Sequence, residues 1–159
     1  MTMVGRDRFL AVIYHESEPL VDGTQKLGYA LYDGVTGAEI CSGSLSAISP
    51  RSSLNWAGFT NNNCLTIMDE SGMLSMLVAM KAQSLPGNNS SFRWAWIPVL
   101  DTIGLKKSRE DVFWPIHVQD GKLICVPLKG VQYPDAARRP LTSSLQLRMP
   151  LARGDGGRR

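Results

Sequence analysis

The chain has 159 residues, of which 43% are hydrophobic and 19% are charged, a composition typical of one folded domain and not of extended disorder. The formal net charge is +3, and three arginines lie in the last seven residues, so we expect no general polyanion-binding surface. No apolar run approaches the roughly 20 residues that span a bilayer. The start, MTMVGRDRF, lacks the apolar stretch of a signal peptide, and we therefore expect an intracellular protein.

Short apolar segments alternate with turn signals along the whole chain. The segments that favour strands are 8–15, 27–33, 38–45, 53–60, 64–69, 73–80, 92–100, 111–118, 122–127 and part of 141–149. Between several of them lie Asp-Gly pairs such as Asp33-Gly34 and Asp120-Gly121, which favour tight hairpin turns. Residues 81–91 and 106–111 read as loops. This pattern predicts an all-β domain of nine or ten strands.

The spacing of the strands favours a β-propeller, with a sandwich as the alternative. Residues 53–100 read as four consecutive antiparallel strands, the content of one propeller blade, and LYDGVTGAEI resembles the hairpin between the third and fourth strands of a WD-repeat blade. At about 40–45 residues per blade, the chain has room for three to four blades. We therefore predict a partial propeller over 1–151 that is not closed on its own, beginning inside a blade edge, with a disordered tail over 152–159.

A series of segments resembles the second β-propeller of a eukaryotic replisome adaptor family. The segments are RFLAVIYH, SPRSSLNWAGF, MDESGMLSML, FRWAWIPVLDT, VFWPIHV, KLICVPLKG and the proline-spaced YPDAARRPLTSSLQLRMPL. The family includes chromosome transmission fidelity protein four, minichromosome loss protein, and WD-repeat and HMG-box DNA-binding protein. Its likeness to this chain lies in the order and spacing of the series, from about Arg8 to Leu151.

The resemblance implies a non-enzymatic hub in the nucleus that links the replicative helicase to DNA polymerase alpha–primase. It also implies homotrimers and contact with chromatin or DNA. In that family, client peptides dock mainly on a helical bundle downstream of the propeller, and nothing after Leu151 resembles such a bundle. A generic WD-like interaction fragment with other partners is the second hypothesis.

A small all-β enzyme with a Cys–His pair is the third hypothesis, from a different class. The histidines are His15 and His117, and the cysteines are Cys41, Cys64 and Cys125. No local signature joins them, zinc-ligand spacings are missing, and no glycine-rich nucleotide motif occurs. We therefore predict no catalytic residues, metal or cofactor. The acidic residues in turns are expected to bond backbone amides.

Basic and aromatic residues supply one candidate contact to a partner or to DNA. Lys106, Lys107 and Arg109 lie in one loop, where the alternative is a solvated loop offset by Glu110 and Asp111. Tryptophans can stack on bases in a single-strand binder, although packing between blades is the favoured reading. The tryptophans are Trp56, Trp94, Trp96 and Trp114.

Overall fold

The computed structural model describes residues 1–81, 92–135 and 139–149. Within these ranges the chain forms strands and one short 3-10 helix (Ile103–Leu105). The strands are β1 (Thr2–Arg6), β2 (Phe9–His15), β3 (Leu27–Asp33), β4 (Glu39–Ser44), β5 (Leu54–Phe59), β6 (Leu65–Asp69), β7 (Met73–Lys81), β8 (Phe92–Asp101), β9 (Asp111–Gln119), β10 (Lys122–Lys129) and β11 (Ser143–Gln146). In the described part of the chain, no helix has the length and apolarity needed to cross a membrane.

The strands form three antiparallel sheets, as expected for a partial propeller. Sheet 1 has the order β1-β2-β3-β4, sheet 2 the order β5-β6-β7-β8, and sheet 3 the order β9-β10-β11. The four antiparallel strands predicted within 53–100 are β5 to β8 of sheet 2, and the LYDGVTGAEI hairpin joins the third and fourth strands of sheet 1, so both sequence predictions are confirmed. None of the three sheets is closed into a barrel.

The sequence analysis did not predict strand β1. β1 pairs with β2 through a tight turn in which Asp7 has φ 51°, a left-handed conformation that Asp tolerates. β1 carries few buried side chains, with Val4 half-buried and its other residues exposed. Because an exposed strand lacks the alternation of buried and exposed side chains, its sequence carries no period-2 signal.

The sheets stack through their first strands and enclose two separate cores. β1 contacts β5, and β5 contacts β9, so the first strand of each sheet lies against that of the next. Core 1 fills the space between sheets 1 and 2, and core 2 fills the space between sheets 2 and 3. Leu65 and Ile67 of β6 belong to core 1, whereas Met68 belongs to core 2. Sheet 2 is therefore covered on both sides, which explains why all five residues of β6 are buried.

Polar contacts fasten sheet 3 to sheet 2. The Asn61 amide Nδ2 donates to Asp120 Oδ1 at 2.9 Å, and the backbone N–H of Asp120 donates to Asn61 Oδ1 at 3.3 Å. In addition, the backbone N–H of Arg148 donates to the carbonyl oxygen of Val99 at 2.7 Å, which joins the segment after β11 to β8. The contacts between sheets 2 and 3 thus combine an apolar core with hydrogen bonds.

Candidate nucleic-acid interface

The loop between β8 and β9 (residues 102–110) carries the three basic residues that the sequence analysis singled out. Its start is anchored by Thr102, whose buried hydroxyl donates to the carbonyl oxygen of Gly72 at 2.9 Å. Its end is held by Asp111, because Oδ2 of that carboxylate accepts from the backbone N–H groups of Lys107 at 2.8 Å and Ser108 at 2.9 Å. Asp111 thus has the turn role that its sequence context predicts, and the loop has a defined conformation.

The structure gives the three basic residues different surroundings. Lys106 is half-buried and lines a pocket that also contains Trp114. Lys107 is exposed and lines a second depression, together with Lys129. Arg109 is exposed and lines neither cavity.

The pocket beside Lys106, here called the Trp114–Tyr133 pocket, has a volume of about 320 Å³ and lies where sheets 2 and 3 meet. Its two rings are arranged edge to face, with centroids 5.3 Å apart and planes inclined at 65°. Tyr133 is 67% exposed, whereas Trp114 is half-buried. The lining residues are Asn55, Glu70, Lys106, Val112, Trp114, Gln132 and Tyr133.

The second depression, here called the Lys107–Lys129 depression, has a volume of about 260 Å³ and shares Val112 with the Trp114–Tyr133 pocket. Asp111 lines it as well, and its two backbone hydrogen bonds hold the pKa of its carboxyl below the usual range. The positive charges of Lys129 and Lys106 act in the same direction. The carboxylate of Asp111 is therefore negatively charged at neutral pH, and backbone N–H groups occupy its Oδ2.

The other tryptophans pack against the cores, as the sequence analysis favoured. Trp56 packs against core 2, and Trp94 and Trp96 pack against core 1, where Trp96 meets Tyr29 edge to face at 5.3 Å. Trp94 also lines a largely apolar cavity of about 450 Å³ between sheets 1 and 2. Trp114 shares its cavity with a basic side chain, whereas the cavity that Trp94 lines contains none.

The thiols of Cys41 and Cys125 have properties opposite to those of a nucleophile. Burial raises the pKa of Cys41 and of Cys125 to about 11 in each case, whereas a catalytic cysteine needs a lowered pKa. His117 contacts Gln119 through Nε2 at 3.0 Å, and His15 is exposed at the end of β2. In residues 1–81, 92–135 and 139–149, no three His, Cys, Asp or Glu side chains are grouped to hold a metal ion.

Several residues of the Trp114–Tyr133 pocket were missed by the sequence analysis. Tyr133 and its neighbour Gln132 lie in an irregular, proline-containing segment, and Asn55 and Glu70 come from two further places in the chain. No short-range pattern joins residues that distant. An exposed aromatic residue beside a proline was the one available signal, and it is weak because isolated exposed apolar residues are common.

Comparison with known proteins identifies relatives along nearly the whole chain. The family model described as "Minichromosome loss protein, Mcl1, middle region" matches residues 1–151. The protein ENHANCER OF LHP1 1 of Arabidopsis thaliana is 28% identical over 158 residues, which is 99% of this chain and 15% of the relative. Minichromosome loss protein 1 of Schizosaccharomyces pombe is 30% identical over 131 residues, covering 81% of this chain and 15% of the relative.

A human relative also matches most of this chain. WD repeat and HMG-box DNA-binding protein 1 of Homo sapiens is 28% identical over 153 residues, or 94% of this chain and 12% of the relative. The chain thus spans between about an eighth and a seventh of the length of these curated relatives. With a family model that covers residues 1–151 and three stacked antiparallel sheets of the expected kind, the chain belongs to the minichromosome loss protein family, whose middle region it matches.

Proposed function

We propose that the chain is a non-enzymatic adaptor module of nuclear DNA replication. The observation that carries this proposal is the match of the family's middle region to residues 1–151. The names of the relatives refer to minichromosome loss, WD repeats and DNA binding, which fits a chromatin-associated, replication-linked role. The raised pKa values of Cys41 and Cys125 favour a scaffold over a thiol enzyme.

The finer proposal is that the module belongs to a hub between the replicative helicase and DNA polymerase alpha–primase. Stacked sheets hold their loops and edges in fixed relative positions, which suits a surface that several partners share. In a homotrimer, a partner bound to one subunit meets the other two subunits at a high effective concentration, so several weak contacts together give tight binding. This mechanism needs no catalytic residue.

Affinity purification from replicating cells tests the partners. We expect the tagged chain to recover helicase and polymerase alpha–primase subunits more strongly from S-phase cells than from non-replicating cells. The matched control is Leu74→Asp, which places a charge in core 2 where Leu74 is fully buried and therefore unfolds the module. Equal recovery with the control, or recovery of neither complex, contradicts the hub.

A different set of specific partners would favour the second candidate, a WD-like interaction module that acts elsewhere. The cavity beside Trp94 supports protein interaction of either kind, because it is apolar and lies between two sheets. Trp94→Ala is expected to weaken recovery of partners that use this cavity and to leave others unchanged.

A further inference from the structure

The Trp114–Tyr133 pocket combines an exposed ring with a neighbouring cation. Tyr133 is 67% exposed, and its edge-to-face contact with Trp114 fixes the orientation of the ring while leaving much of its surface free. Lys106 lines the same pocket. An exposed ring beside a lysine is the pairing that proteins use for single strands, where the ring stacks on a base and the ammonium group meets a phosphate.

The charges around the pocket extend this arrangement along the surface. The adjoining Lys107–Lys129 depression adds two more ammonium groups, so a strand that leaves the pocket over Val112 meets further cations. The carboxylate of Asp111 lies among them, but its Oδ2 is engaged by two backbone N–H groups of the loop. Asp111 keeps its negative charge, so the linings of the two cavities together hold three cations (Lys106, Lys107 and Lys129) against two carboxylates (Asp111 and Glu70), a small excess of positive charge.

The remaining polar residues of the pocket match the edge of a base. Asn55 and Gln132 carry both donors and acceptors, and Glu70 accepts hydrogen bonds from amino or imino groups. The negative charge of Glu70 disfavours any anionic group inside the pocket, so the phosphates of a bound strand must lie outside it, on the side of the lysines. A base presents both donors and acceptors on its unpaired edge, and a duplex hides that edge, so the lining favours an unpaired, unstacked base.

We propose that the Trp114–Tyr133 pocket binds one base of a single-stranded nucleic acid, with Tyr133 as the stacking platform and Lys106, Lys107 and Lys129 as phosphate contacts. This site goes beyond the adaptor function and does not depend on it. DNA and RNA single strands share the chemistry that the pocket recognises, and the experiment separates them.

Fluorescence anisotropy of the full chain with labelled oligo(dT), oligo(rU) and a duplex of equal length tests the proposal. We expect binding of a single strand in preference to the duplex at low salt. Tyr133→Ala is expected to weaken that binding by about 5-fold to 150-fold, the range measured for loss of one base stack. Lys106→Gln is expected to lower the slope of log K against log salt by about 0.7, the value for one phosphate contact.

Matched variants keep the test decisive. Tyr14→Ala removes an exposed tyrosine from sheet 1, and Lys122→Gln removes an exposed lysine from the other end of β10, so neither is expected to change binding. Trp114→Ala removes the ring that contacts Tyr133, and Trp114→Phe, which retains an aromatic ring, replaces it if Trp114→Ala fails to fold. Thermal melting of each variant verifies the fold. Replacement of Arg153, Arg158 and Arg159 by serine measures the contribution of the basic tail.

Four outcomes of the direct binding measurements would overturn the proposal. They are the absence of single-strand binding at low salt, equal binding of the duplex, full binding by a folded Tyr133→Ala variant, and loss of binding only in the tail variant. Competition by poly-glutamate as strong as that by oligo(dT) would also overturn it, because the pocket would then be recognising charge alone.

Discussion

At the scale of single residues, Asp33 combines a turn role with an ion pair. Its Oδ1 accepts from the backbone N–H of Val35 at 2.9 Å, while Oδ2 accepts from the guanidinium of Arg8. The hydrogen bond from Arg8 is the main reason that the pKa of Asp33 falls to about 2. The ion pair therefore ties the turn before β2 to the end of β3.

This lowered pKa predicts a pH dependence of stability. Because the carboxylate is favoured in the folded state, its contribution is fully present above the unfolded pKa of about 4 and is lost as pH falls through about 2. Asp33→Asn keeps an acceptor for Val35 but removes the charge. We expect a lower urea midpoint than wild type at pH 7, with the difference shrinking between pH 4 and pH 2. A difference that stays constant with pH would contradict the ion-pair explanation.

Gly58 in β5 is required by a neighbouring ring. A Cβ at this position would lie 2.4 Å from Cζ2 of Trp56, closer than carbon atoms can approach. Gly58→Ala is therefore expected to displace the ring and to cost about 1–3 kcal/mol of unfolding free energy. Gly5→Ala in β1 is the control, since a Cβ there would come no closer than 3.6 Å to another atom. Equal melting temperatures for the two variants would show that Trp56 moves aside freely.

At the scale of elements, one buried carboxylate organises the turn between β6 and β7. Asp69 is 1% exposed, and its oxygens accept from the backbone N–H groups of Ser49 and Met73 and from the hydroxyl of Ser71. The contact with Ser49 joins the linker between sheets 1 and 2 to this turn. A turn role for Asp69 was predicted from the sequence, whereas its burial and its contact with the linker were not.

Removal of this carboxylate is expected to be costly. Asp69→Ala leaves the N–H groups of Ser49 and Met73 without their acceptor, and we expect a loss of about 2–4 kcal/mol. Glu70→Ala changes the next residue, which is exposed and whose side chain is not part of this network, so its effect on denaturant unfolding should be small. Similar unfolding midpoints for the two variants would mean that water replaces the Asp69 carboxylate as the acceptor for these N–H groups.

At the scale of the whole molecule, the two outer sheets differ from the middle one. Core residues cover both faces of sheet 2, but the face of sheet 1 that points away from core 1 has no neighbouring sheet in the described part of the chain. Leu10 and Val12 lie on that face because they alternate with the core residues Ala11 and Ile13. Such an apolar face favours association.

We therefore expect the isolated chain to self-associate. Sedimentation velocity should show a mass that rises with concentration, and Val12→Lys should reduce the rise because it places a charge on the open face. Val35→Lys, at a turn position that is 77% exposed, is the control and should change nothing. A stable monomer at all concentrations, with cooperative unfolding, would contradict this expectation.

The strand order of this protein was largely determined by its sequence. Alternating apolar residues and Asp-Gly turns act over short distances, so β2 to β10 and the four-strand unit of residues 53–100 could be predicted from local patterns. β1 could not, because its exposed side chains show no alternation. The prediction that the tail over 152–159 is disordered concerns residues outside those that the structure describes.

Only the tertiary structure decided which side chains meet. Lys106 and Trp114 were candidates from the sequence, but their association with Tyr133, Glu70 and Asn55 required the stacking of sheet 2 on sheet 3. Lys107 and Arg109 do not line that pocket, although all three basic residues are close neighbours in the chain. Sequence patterns report the environment of a strand or a turn, whereas a site between sheets depends on long-range packing that no local pattern records.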